Sequence, residues 1–198
     1  MKKIILASMV FSSVVCAQDM SGFYLGAGVG STSFSDDGYT SDIGEMVNIL
    51  TGDSATTATN EPDGQTYKFI AGYQFNRVIA VEGQYTQYAP IKIENSASFL
   101  EHELGLSSFT VSANLGYTFD NGLRPFGTLG LGTVSLDESD STAGTALRIG
   151  AGLEYNVRQL PGLSLRAAYE TDYYSLEFID KEYTQSIGSF YVAANYKF

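Results

Sequence analysis

No stretch of this chain reaches the roughly 18 continuous apolar residues that a membrane-spanning helix needs, tryptophan is absent, and cysteine and histidine occur once each. Each scarcity excludes something. The one cysteine, Cys16, lies near the N-terminus, inside what reads as a cleavable leader, so no disulfide framework is available to the rest of the chain. The one histidine, His102, sits in "LEHEL" without an evident nucleophile, and a single imidazole beside Glu101 and Glu103 is a thin basis for a metal site. Neither a catalytic residue, nor a metal site, nor a cofactor site is expected. Basic residues are also scarce, 11 Lys and Arg against 22 Asp and Glu, which argues against a nucleic-acid partner.

At the N-terminus, Lys2 and Lys3 precede an apolar run from Ile4 to Val15 and the small-residue site Val15-Cys16-Ala17. That order is the pattern of a secretory signal peptide over residues 1–17, leaving one domain over 18–198. Lipid attachment at Cys16 is the weaker reading, because Val15 is larger than the residue such attachment usually follows. Without Lys2 and Lys3, nine basic residues face twenty-two acidic ones, a formal charge of −13.

What the chain does have is alternation. Leu147, Ile149, Ala151, Leu153, Tyr155 and Val157 alternate with Ala146, Arg148, Gly150, Gly152, Glu154 and Asn156, a strand with two unlike faces. The pattern recurs near 22–34, 66–75, 78–88, 109–119, 124–135, 163–174 and 187–198, which predicts eight strands. Tyrosines at 73, 117, 155 and 196 close alternate strands at a spacing of roughly forty residues. A propeller blade would fit four short strands into that period, whereas here it holds two long strands and a loop. Asn76-Arg77, Asp120-Asn121-Gly122 and Gln159-Leu160-Pro161-Gly162 read as short turns, and the connections near 35–65, 89–108, 136–144 and 175–186 read as long. Short turns on one rim and long loops on the other describe an up-and-down antiparallel barrel.

A soluble barrel with an apolar lumen would alternate in the same way, and small residues discriminate. Gly26, Gly28, Gly30, Gly72, Gly116, Gly130, Gly132, Gly150 and Gly152 all fall on the polar side. Glycine weakens an exposed strand but relieves crowding inside a narrow lumen. The apolar side carries Tyr67, Tyr73, Phe75, Tyr85, Tyr117, Phe119, Tyr155, Tyr169, Tyr196 and Phe198, mostly at strand ends, as two membrane interfaces require. The expectation is an all-β, eight-stranded transmembrane β-barrel in the bacterial outer membrane, with four long extracellular loops and three short periplasmic turns. An arginine at Leu153 should then be harmful and a serine at Gly152 milder.

The closing stretch "FYVAANYKF", with Phe190, Val192, Tyr196 and Phe198 on one face, resembles the C-terminal signal by which outer-membrane barrels are recognised for assembly. Residues 72–89, 114–132 and 151–172 resemble strands of the outer-membrane protein A transmembrane domain and of the wider family of small eight-stranded barrels, opacity-type surface proteins among them. The resemblance implies contact with outer-membrane lipid, lipopolysaccharide and the barrel-assembly machinery, a monomeric barrel, and one of several surface roles. With the polar face inward, Lys68, Glu82, Arg148, Glu154, Arg166, Glu170, Asp172 and Lys197 form a lumenal charge network of four bases and four acids. In outer-membrane protein A a lumenal quartet of acids and bases can exchange partners. The resemblance carries Glu82, Glu154 and Arg166 onto three of its positions and pairs Glu82 with Arg166, while Asn114 stands where the fourth base belongs.

The four long connections hold sixteen acidic residues against Lys92 and Lys181, while Arg77, Arg124 and Arg158 fall near the opposite rim. Within the first connection "SDIGEMVNIL" has the spacing of a short helix. The sequence therefore reads as a non-enzymatic surface protein, acting in adhesion, colonisation or envelope integrity through acidic loops that meet a host or envelope protein ligand. The alternative is a narrow porin-like channel gated by lumenal charge pairs.

Overall fold

A computed structural model describes residues 21–35, 59–62, 64–94, 102–136, 142–178 and 181–198. Its strands are β1 (Gly22–Ser35), β2 (Thr59–Pro62), β3 (Thr66–Gln74), β4 (Ile79–Gln87), β5 (Ile91–Glu94), β6 (His102–Leu104), β7 (Leu106–Gly116), β8 (Leu123–Leu136), β9 (Thr142–Asn156), β10 (Leu163–Phe178) and β11 (Lys181–Lys197). Eight of them close a barrel in the order β1-β11-β10-β9-β8-β7-β4-β3, and β2, β5 and β6 form a separate three-stranded sheet. Each barrel strand pairs antiparallel with the next, and β1 joins both β11 and β3, so no barrel edge is left unpaired.

The side-chain period of two sorts each strand. Outward residues run apolar from Phe23 to Val29 on β1, Ile79 to Tyr85 on β4, Leu123 to Leu131 on β8 and Phe190 to Phe198 on β11. Ser31, Gln87, Thr133 and Gly188 are the next outward positions. Eight steps along β11 at about 3.3 Å each, tilted by about 40°, span roughly 20 Å, comparable with the ~25 Å apolar band of an outer-membrane barrel. Aromatic pairs mark the band's short-turn edge: Tyr117 with Phe119 at 5.1 Å and Tyr196 with Phe198 at 5.3 Å, both edge-to-face.

The short turns owe their form to particular residues. Asn76 Oδ1 accepts hydrogen bonds from the backbone N–H of Val78 and Ile79, and Asn121 Oδ1 accepts one from Leu123. Gly122 takes φ +89°, a left-handed conformation that a side chain resists.

The far rim departs from the expectation of four open loops. Parts of the first two connections, β2, β5 and β6, are extended and paired with one another. β10 and β11 stay paired out to Phe178 and Lys181, well into the expected fourth loop, and β9 already begins at Thr142. The alternations there, Ile91-Lys92-Ile93-Glu94 and Ser175-Leu176-Glu177-Phe178, are only four residues long, too short to mark a strand by themselves. Backbone pairing to a neighbour does not need an apolar face. The signal segment and the helix expected at 42–50 lie outside the described residues.

Inside, an apolar cluster around Tyr24, Ile70, Phe126 and Tyr191 lies toward the short turns. A second cluster of Tyr88, Leu106, Val134, Ala146, Tyr174 and Ile187 fills the opposite mouth. Charged residues occupy the space among and between them.

Candidate functional site

The inward face of β3, β4, β9 and β10 positions the charges. Lys68 comes from β3, Glu82 from β4, Arg148 and Glu154 from β9, and Arg166, Glu170 and Asp172 from β10, all buried. Strand register decides which of them meet.

Nearer the short turns, Arg166 is shared by two carboxylates. Its Nη2 lies 2.7 Å from Glu82 Oε1 and its Nη1 3.1 Å from Glu82 Oε2, while Nη2 and Nε reach Glu154 Oε2 at 2.7 and 3.0 Å. Both carboxylates are within reach because Glu154 is the direct cross-strand neighbour of Arg166, whereas Glu82 faces it across the lumen. Asn114 Nδ2 donates to Glu82 Oε1 at 2.9 Å, so the amide at the position of the missing base serves Glu82. The Phe126 ring lies 4.7 Å beneath the Arg166 guanidinium.

Farther from the turns, Arg148 binds Asp172 in a two-pronged contact, Nε to Oδ1 and Nη2 to Oδ2, both at 2.6 Å. Lys68 Nζ donates to Glu170 Oε2 at 2.8 Å and stands 4.4 Å above the Tyr191 ring. Gln84 joins the two groups: its amide nitrogen donates to Glu82 Oε2 at 2.9 Å and Glu170 Oε1 at 3.2 Å, and its oxygen accepts from Arg148 Nη1 at 2.8 Å. Lys197, at the short-turn end of β11, donates to Gln74 Oε1 at 3.3 Å.

Three tyrosines complete the network, and sequence reasoning missed all three. Tyr24 donates to Glu82, Tyr88 to Asp172 at 2.7 Å and Tyr191 to Glu170 at 3.0 Å, so each of these carboxylates receives a phenolic hydrogen bond as well as a cation. Buried carboxylates satisfied in this way can remain charged in a confined interior. Their signal was parity. Tyr24 falls in step with Gly26 and Gly28, and Tyr191 alternates with the lipid-facing Phe190 and Val192.

Arg124 lies near the short-turn rim as expected, at the start of β8, but its side chain is buried inside the barrel, in step with Phe126, Thr128 and Gly130 on the inward face. Arg77 and Arg158 do lie at that rim, the former 3.3 Å from Asp120 Oδ1 and the latter donating to the Asp120 carbonyl.

Chemically the arrangement is a charge lattice. Among the described residues no group of three or more His, Cys, Asp or Glu is placed to hold a metal ion. The four residues of the expected assembly signal, Phe190, Val192, Tyr196 and Phe198, lie together on the outer face of β11, each more than half exposed.

The family model of the outer membrane protein beta-barrel domain matches residues 4–198. No curated protein matches the chain. Neisserial surface protein A (NspA) superposes with a TM-score of 0.55 at 19% identity, covering 89% of this chain and 97% of that one. The outer membrane protein AlkL, determined in DMPC bilayers, superposes with a TM-score of 0.56 at 15% identity, covering 96% of each. At these identities the likeness is one of fold.

Proposed function

Because the chain belongs to the outer membrane protein beta-barrel domain family and lies in the bacterial outer membrane, we propose that it is a non-catalytic surface protein whose work is done by its acidic extracellular rim, in adhesion, colonisation or envelope integrity. One observation carries this reading. The lumen is filled along its length, by the cluster around Phe126 at one end, the cluster around Tyr88 and Ile187 at the other, and ion pairs among them. A barrel built solid has little use for its axis, and its distinguishing chemistry is what it displays. Sixteen acidic residues in the four connections suit a basic host or envelope protein ligand, and the outer face suits lipid and the acyl chains of lipopolysaccharide. Phe190, Val192, Tyr196 and Phe198 offer the assembly machinery an apolar row on the strand that closes the barrel. Transplanting the connections 35–65 and 89–108 onto an inert barrel of the same size tests the reading. Cell or ligand binding should travel with them, and binding that stays with the original barrel defeats it.

A gated narrow channel is the second reading, favoured by the division of Arg166 between Glu82 and Glu154, since exchanging such partners needs only side-chain rotation. Asn114→Lys would add a base beside Glu82. Under this reading it should raise single-channel conductance in planar bilayers, and an unchanged, silent protein removes the gate.

A further inference from the structure

The short turns meet at one end of the barrel, and the space among them is a hollow of about 560 Å³. Its wall takes residues from both strand faces. Phe119, Val157 and Leu163 fall in step with the outward Tyr117, Tyr155 and Leu165, whereas Asn156 and Lys197 fall in step with inward residues. The hollow therefore runs from the end of the bore to the edge of the lipid face, at the level of the Tyr117–Phe119 aromatic pair.

Both signs of charge stand in it. Arg158 Nη2 donates to the Asp120 backbone carbonyl, which ties the third turn to the second and leaves the Asp120 carboxylate pointing outward. Arg77, from the first turn, reaches that carboxylate through one long contact, Nη1 to Oδ1 at 3.3 Å. The Asp120 side chain is 95% exposed and that of Arg77 45%, so water screens the pair and a ligand can take over either partner at little cost. Each guanidinium carries five N–H donors on a planar fork, of which these contacts engage one. Lys197 lies deeper, where it donates to Gln74 Oε1. An occupant matched to the hollow offers an anion to the two arginines, a cation to Asp120 and an apolar body to Phe119 and Leu163.

We propose that the hollow among the short turns binds one zwitterionic phospholipid headgroup, a phosphoethanolamine whose phosphate lies on Arg77 and Arg158 and whose ammonium lies on Asp120. The bilayer presents such a group at this depth, with its acyl chains free to leave over Phe119 toward the lipid face. A glycerol headgroup brings no cation to Asp120, and a choline brings no N–H to donate to it. With the short turns in the periplasm the lipid belongs to the periplasmic leaflet. Binding in a symmetric bilayer is read whichever way the barrel points, so the site and the orientation fail separately.

The whole barrel is refolded into nanodiscs holding equal parts of phosphatidylethanolamine, phosphatidylglycerol and phosphatidylcholine with the same acyl chains, and native mass spectrometry counts the lipids retained. One phosphatidylethanolamine, kept in preference to the other two, is expected. Arg77→Gln with Arg158→Gln should lose it. Asp120→Asn, which leaves both arginines in place and does not depend on the double variant folding, should still retain a lipid but lower the preference for ethanolamine over glycerol by up to about fivefold, the worth of one exposed ion pair. Soluble phosphoethanolamine should displace the lipid far better than alanyl-alanine, a zwitterion without phosphate. No retained lipid, retention without headgroup preference, or a preference that survives Asp120→Asn overturns the proposal. Equal displacement by the dipeptide also overturns it, by assigning the hollow to a soluble zwitterion instead.

Discussion

Glu170 and Glu82 are both buried lumenal glutamates, yet removing their charges should not cost the same. Among the described residues Glu170 is the one carboxylate within 4 Å of Lys68, so Glu170→Gln strands an ammonium in the interior, a loss of about 3–5 kcal/mol. Glu82→Gln leaves Arg166 still bound to Glu154 and should cost distinctly less. Urea unfolding in lipid vesicles reads both, and the double change Lys68→Met with Glu170→Gln should recover part of the larger loss because no lone charge remains. Equal losses for the two single changes, or strictly additive ones in the double, would remove pairing as the source of stability. The neighbouring positions 152 and 153 separate lumen from lipid, though not as the sequence suggests. Leu153 is outward, and Leu153→Arg near the midplane should cost about 2–4 kcal/mol of insertion. Gly152→Ser was expected to be mild, but a Cβ there would meet the Ala168 Cβ, the Ala167 carbonyl oxygen at 2.6 Å and the Phe126 ring at 2.8 Å. Crowding of that kind costs about 1–3 kcal/mol. Both variants should lose stability, with Gly152→Ser still partitioning into membrane and Leu153→Arg failing to.

At the scale of the strand, β11 has two partners and one end. It closes the barrel through β1 and β10, and Phe198 N–H donates to the Phe23 carbonyl at 2.9 Å. Deleting Phe198 removes both that bond and the last aromatic of the outward row. The expected result is a lower assembled fraction in outer membranes, read by heat-modifiable mobility on gels, with in vitro refolding much less affected. An equal drop in both would mean that the residue matters for stability rather than for recognition. Topology is tested by protease. The long connections offer trypsin only Lys92 and Lys181, both in paired strands, and many sites to a glutamate-specific enzyme. Intact cells should therefore resist trypsin and be cut by the latter, and cleavage near Asn121 would invert the orientation. Eight strands, the three tight turns and the inward parity of eight charged positions were legible because period two is a local property. Register was not, because the stagger between strands is set by closure of the whole barrel, and it brings Arg166 to both glutamates and Gln84 between the two ion-pair groups. The phenolic bonds of Tyr24, Tyr88 and Tyr191 were not legible for a related reason: parity places a tyrosine on the inward face, and only register decides which carboxylate its hydroxyl meets.

The molecule as a whole is lopsided. β3 and β4 stop near the apolar band, whereas β8, β9, β10, β11 and β1 continue beyond it, so one wall stands above the membrane. Beyond the low wall the chain forms the three-stranded sheet of β2, β5 and β6. Beneath that rim Tyr88, Tyr174 and Ile187 close the bore, and Tyr88 is held by Asp172, itself clasped by Arg148. Conduction would have to breach an apolar layer and a lattice of ion pairs in series. Loosening either one alone should leave the other intact. Tyr88→Ala opens the rim and Arg148→Gln loosens the lattice, and each single variant should stay electrically silent in planar bilayers. The pair together should conduct, in discrete steps and with a urea midpoint below either single variant. Steady current through the unaltered protein, or through Tyr88→Ala alone, would mean that the lumen already holds a continuous path and that the barrel is a channel first and a display scaffold second.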